Sequence, residues 1–202
     1  MKIINTEEAR KKYPQSDFGD MVKIGYNVQI GNKTVIGKKV YIDDNVQIGN
    51  NTGIRNHVDI YENAKIGDDV CLGDNLIIQE NTHIGNGVII ACNVRLNEGV
   101  IIEDCARLRE FTVIGKNAKI KKGYEGIVLL GGYHYNANVY YDFNQKCIMI
   151  RLGCYIRKLS EWDKDFHNNK MEFPIGAPQT LKREMTYNIL KEYALKYLIP
   201  TN

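Results

Sequence analysis

The sequence has no pair of cysteines at CxxC spacing: Cys71, Cys92, Cys105, Cys147 and Cys154 are odd in number and scattered. Such a set excludes a disulfide framework and fits a reducing compartment. No apolar run is long enough to span a bilayer, and the first residues lack the pattern of a secretory signal. No Lys/Arg run with interleaved aromatics occurs, and a net charge of +3 is too small to imply a nucleic-acid surface. Only four histidines are present, His57, His83, His134 and His167, and no two are close in sequence. With the cysteines also lacking zinc spacing, metal chemistry is excluded from the reading. What remains, at 44% hydrophobic and 25% charged residues, reads as soluble and globular.

Against these absences stands one strong presence. Ile or Leu recurs at every sixth position from Ile24 to Ile120 without a register break. Two residues before each lies a small or aliphatic residue, as at Val22, Thr34, Val46 and Ala64. A period of six fits neither the helical 3.6 nor ordinary strands joined by long loops, and fixed short periods mark solenoids. Three residues after each Ile or Leu, the sequence favours Asn, Gly or Asp, with Lys33, Lys39, His57, Cys105 and Phe111 as exceptions. Residues of that kind tolerate positive φ, so each hexapeptide is expected to turn there. Three hexapeptides then close one triangular coil, and coils stack at the ladder spacing of about 4.8 Å.

The stretches IGNKTV, IGKKVY, IGNNTG and IGNGVI resemble the left-handed parallel β-helix of the hexapeptide-repeat, acyltransferase-like superfamily. The expected fold is therefore mainly β: a left-handed parallel β-helix with a short N-terminal helix and a small C-terminal α+β module. Expected boundaries are 1–20 for the N-terminal helical cap, 21–123 for the β-helix and 124–202 for the C-terminal module. Asn5 or Thr6 is suited to cap a helix from Glu7 to Tyr13. A C-terminal hairpin is expected across Asn144-Gln145. Ser160 and Asp163 have the spacing of a capping box, and the last helix aligns Leu181, Met185, Ile189, Tyr193 and Tyr197. The segments Ile150 to Cys154 and Ser160-Glu161-Trp162 are similar to a module that follows hexapeptide repeats in bacterial and phage proteins. A bacterial cytoplasm, or that of a phage-infected cell, is the expected location.

The resemblance implies a homotrimer and a CoA-dependent acyltransferase: acetyl-CoA or another acyl-CoA as co-substrate, a small hydroxyl or amine as acceptor, and a histidine as general base. His57 and His83 are the candidate bases. Arg55, Asp59 and Tyr61 form the polar surroundings of His57. A second candidate region joins Arg107 and Arg109 with Tyr133, His134, Tyr135, Arg151 and Trp162, where guanidinium groups and rings could grip a flat, phosphorylated ligand. On that region rests the alternative of a non-catalytic trimer that binds a nucleotide or sugar phosphate; a structural trimer is a third. Every eighteenth residue should stack, so Val35, Gly53, Cys71, Ile89 and Arg107 form the most apolar outward ladder.

Overall fold

The structure, a computed structural model, describes residues 3–122, 127–130, 136–152, 155–166 and 178–198. The chain divides into two compact units, Met1–Glu125 and Gly126–Asn202.

In the first unit each hexapeptide gives one strand of two or three residues, and strands eighteen residues apart pair in parallel. Three parallel sheets result, each of six such strands among the described residues: Lys23–Ile24 to Val113–Ile114, Gln29–Ile30 to Lys119–Ile120, and Asp17–Phe18 to Arg107–Leu108. These are six coils of a parallel β-solenoid that fits a left-handed β-helix. The first strand, Asp17–Phe18, pairs with Val35–Ile36, so the solenoid begins inside the segment read from sequence as the cap. Phe18 extends the Ile/Leu column by one step and is buried.

The column points inward. Ile24, Ile42, Ile60, Leu96, Ile102 and Ile120 have no exposed surface, and the small residues Ala64, Ala106 and Ala118 between columns are equally enclosed. Buried threonines do not leave a polar group stranded: the hydroxyls of Thr34 and Thr52 donate to the carbonyls of Gly49 and Gly67 at 2.9 and 3.0 Å. Corners repeat as strictly. Every described turn position from Asn27 to Asn117 has φ between +53° and +69°, including the exceptions Lys33, Lys39, His57, Cys105 and Phe111. Stacking therefore sets the backbone at a corner whether or not the residue prefers the left-handed region.

The first coil has no coil beneath it to supply donors, and the N-terminal segment does so instead. Helix α1, Thr6–Lys12, is capped by Asn5, whose Oδ1 accepts from Glu8 N–H while Glu8 accepts from Asn5 N–H. From it and the residues after it, Arg10, Thr6, Tyr13 and Ser16 donate to the carbonyls of Phe18, Gly19, Val28 and Gly31. An edge that could template further pairing is thereby closed.

The second unit has a four-stranded antiparallel sheet, in the order Ile127–Leu130, Asn136–Asp142, Cys147–Leu152, Tyr155–Lys158. The hairpin turns where the sequence placed it, with the buried Asp142 carboxylate accepting from Asn144 and Gln145 N–H. Strand Tyr155–Lys158 was not foreseen. Helices α2, Leu159–Asp165, and α3, Pro178–Tyr197, enclose a core of Val139, Ile150, Trp162, Phe166, Tyr187 and Leu190.

Two sequence expectations are corrected here. Helix α2 starts one residue earlier, and its reciprocal carboxylate is Glu161, which accepts from Lys158 N–H at 2.9 Å. Asp163 instead accepts from Tyr187 and Lys191. On α3 the packed face is Tyr187, Leu190 and Ala194; Met185 and Ile189 stay 66% and 50% exposed.

Candidate functional site

His57 stands at the corner between strand Gly53–Ile54 and strand Val58–Ile60, with φ +57°. Its N–H donates to Lys38 O of the previous coil, which fixes the corner while the imidazole stays exposed. Val58 and Ile60 are buried, so the alternation of the strand sends Asp59 outward, with His57 at the corner before it and Tyr61 just after it.

The ladder brings in a residue that the sequence reading missed. Asp59 is in register with Tyr41 on one side and Ile77 on the other. The rings of Tyr41 and Tyr61 meet edge to face, with centroids 6.3 Å apart. Eighteen-residue spacing from Asp59 was the signal that could have found Tyr41. The Tyr41 hydroxyl donates to Asp43 Oδ1 at 3.0 Å. Partial burial, then that bond and the negative charges of Asp43 and Asp44, push its pKa up. Among the described residues, the His57 imidazole, the Asp59 carboxylate and the Tyr61 hydroxyl have no hydrogen-bond partner. Two of these, Asp59 and Tyr61, are half-buried.

Arg55, on the preceding turn, is exposed and lies 3.9 Å from Asp74 Oδ2 in the next coil. Asp74 accepts Asn56 N–H at 2.9 Å, and this bond, more than Arg55, holds its carboxyl below the usual range. So Arg55, His57, Asp59 and Tyr61 are brought together on one coil.

His83 is exposed on a different face, between Lys65 and Ile101 in register, with no carboxylate in its ladder positions. Arg107 and Arg109 are exposed at the last coil of another wall, the one that starts at Asp17–Phe18. Arg109 repeats the corner position of Arg55 three coils on, roughly 14 Å along the stack. Arg151 lies in the second unit, half-buried in strand Cys147–Leu152. Trp162 is also there and has no exposed surface; its indole N–H donates to Ile150 O at 2.9 Å and its ring packs near Phe166. A ring so enclosed has no face for a ligand, which corrects its assignment as a ligand contact. Tyr133, His134, Tyr135 and His167 fall outside the described residues. No group of three or more potential metal ligands occurs among the described residues. No described helix is long and apolar enough to cross a membrane.

Residues 63–98 match the family described as bacterial transferase hexapeptide (six repeats). No curated protein matches the chain. Among solved structures, UDP-N-acetylglucosamine O-acyltransferase (LpxA) from Moraxella catarrhalis is similar at 16% identity and a TM-score of 0.42, with 92% of this chain and 91% of that chain covered. A mutant of AntD, an N-acyltransferase from Bacillus cereus in complex with dTDP and coenzyme A, is similar at 20% identity and a TM-score of 0.33, covering 62% of this chain and 89% of that one. UDP-N-acetylglucosamine acyltransferase from Francisella novicida matches at 19% identity and a TM-score of 0.32, covering 91% and 83%. Likeness at these values carries no argument about substrate.

Proposed function

Starting from a chain built on the hexapeptide-repeat β-helix of the acyltransferase-like superfamily, we propose that it transfers an acyl group from a coenzyme A thioester to a small acceptor. In this reading His57 is the general base. The observation that carries it is the set of uncommitted groups on one coil, with the exposed His57 imidazole two residues from an unpartnered Asp59 carboxylate. Intramolecular hydrogen bonds consume most polar groups in a folded protein, so a half-buried carboxylate left without one is available to a ligand.

An acceptor nucleophile seated between His57 and Asp59 loses its proton to the imidazole as it attacks the thioester carbonyl. Asp59 orients the acceptor, and Tyr41 and Tyr61 supply the apolar floor. The thioester substrate brings the electrophile. Arg55 and Arg109, at equivalent corner positions, supply positive charge along the direction in which an extended, phosphorylated donor would run. Between them the same position holds Gly73 and Ala91, which leave the strip without large side chains. His83 lacks a neighbouring carboxylate, and the reading gives it no role in the chemistry. Assembly as a trimer through the Val35, Gly53, Cys71 and Ile89 ladder is part of the same proposal: Val35 is 52% exposed, and a side chain at Gly53 would meet open space.

The test is thiol release from acetyl-CoA with a panel of hydroxyl and amine acceptors. His57→Ala should lower turnover by about 10²–10⁴-fold, the usual contribution of a positioned base, and His83→Ala should leave it unchanged. Equal activity in His57→Ala and the unaltered protein would sink the assignment.

A further inference from the structure

We propose that the acceptor is an amine, bound as its ammonium ion on the Asp59 carboxylate beside the ring pair of Tyr41 and Tyr61; this rests on the acyl-transfer reading. Three observations on the same coil wall carry it. Asp59 is half-buried and has no hydrogen-bonding or ionic partner among the described residues. A neutral hydroxyl would satisfy one lone pair and leave that charge uncompensated, whereas an ammonium supplies both donors and charge. The second observation is the edge-to-face pair Tyr41–Tyr61 beside it, since tyrosine rings attract a cation through their faces.

The third is the sign of the surrounding charge. Asp43 and Asp44 lie beside the Tyr41 hydroxyl, and the corner past Tyr61 stacks Asp44, Glu62, Glu80 and Glu98 at eighteen-residue intervals. Lys116, 2.5 Å from Glu98, compensates only the far end. The nearest cations in the Asp59 ladder are Lys23, in register with Tyr41, and Arg95, in register with Ile77, each two coils from Asp59, while Arg55 on the same coil faces Asp74. Phosphate and carboxylate acceptors are disfavoured by such a field, and cations are favoured.

The step balances as an aminolysis. The bound ammonium releases one proton to water, and the freed nitrogen lone pair attacks the thioester carbonyl carbon. His57 takes a second proton from nitrogen as the C–N bond forms and delivers it to sulfur as the C–S bond breaks. The products are an amide, a free thiol and one proton in solution.

A matched pair of probes isolates the claim. Binding of benzylammonium and of benzyl alcohol to the full chain is measured by ligand-observed NMR at neutral pH, for the unaltered protein, Asp59→Asn and Tyr61→Leu. Benzylammonium should bind, benzyl alcohol should bind at least tenfold more weakly, and Asp59→Asn should weaken the ammonium by about tenfold. Tyr61→Leu should weaken it by less, about three- to fivefold. Equal binding of the two probes, no binding of either, or indifference to Asp59→Asn overturns the proposal. If the ammonium binds as expected and no amine supports thiol release from acetyl-CoA, the acyl-transfer reading fails while the ammonium site stands.

Discussion

Gly99 shows how little freedom a corner leaves to one residue. Its φ is +69°, and a Cβ there would run into the side-chain carbonyl of Asn117 in the next coil. Other turn positions carry Asn, Lys, His or Phe at similar φ, so the backbone alone does not demand glycine; the stacked Asn117 does. Gly99→Ala should therefore cost about 1–2 kcal/mol, combining left-handed strain with displacement of that amide, as read from chemical denaturation. His57 obeys the same rule, which is why its backbone was legible from the six-residue spacing. Its chemistry was less so. Arg55, Asp59 and Tyr61 were readable as neighbours because they lie within seven residues of sequence. Tyr41 was not, because it reaches the site through stacking.

Between helices, the signals in the sequence are fainter and the contacts decide. Ser160 and Asp163 have capping-box spacing, yet Asp163 is occupied across the unit by Tyr187 Oη and Lys191 Nζ of α3, each at 2.5 Å. Met185 and Ile189 have core spacing, yet Tyr187 takes the inward place because its ring stacks on Phe166 at 5.0 Å while its hydroxyl meets Asp163. Periodicity cannot distinguish two apolar stripes on one helix; a hydrogen bond beyond the helix can. The link also has a pH signature. Partial burial opposes the charge on Asp163, but the bonds from Lys191 and Tyr187 outweigh it and hold its pKa below the usual value. A carboxylate depressed in this way adds stability that is complete above its unfolded pKa, about 4, and is lost as pH falls through the folded value. Burial, followed by the same carboxylate, raises Tyr187, whose contribution is complete below about pH 10 and fades as pH rises further. Asp163→Asn should flatten the acid limb of a melting-temperature profile below about pH 4. An unchanged limb would mean that this contact does not couple the helices.

At the scale of the molecule, the β-helix was the most legible part because one rule generates it. Every described corner from Asn27 to Asn117 takes positive φ, and each coil contacts the coils before and after it. The start was harder to place, since Asp17–Phe18 enters the stack by pairing with Val35–Ile36 and the corner that follows it is held by Met21 rather than Asn or Gly. Nearest-neighbour stacking makes a direct prediction: stability should follow the number of coils. Removing the eighteen residues Asn81 to Glu98 joins Glu80 to Gly99 with every ladder position retained. That protein should melt in one cooperative transition at a lower temperature, with the β-rich circular dichroism preserved. Removing nine residues from the same place should abolish the transition, because inward and outward positions no longer coincide.

The six-coil register also bears on heredity. Each coil corresponds to a fixed length of coding DNA, three bases for each of eighteen residues, so unequal recombination between adjacent coils preserves both reading frame and wall. A gene of this kind can lengthen or shorten in whole coils while the tyrosine, carboxylate and imidazole of one coil are inherited intact. Variation in length and variation in chemistry are thereby separable events in its descent.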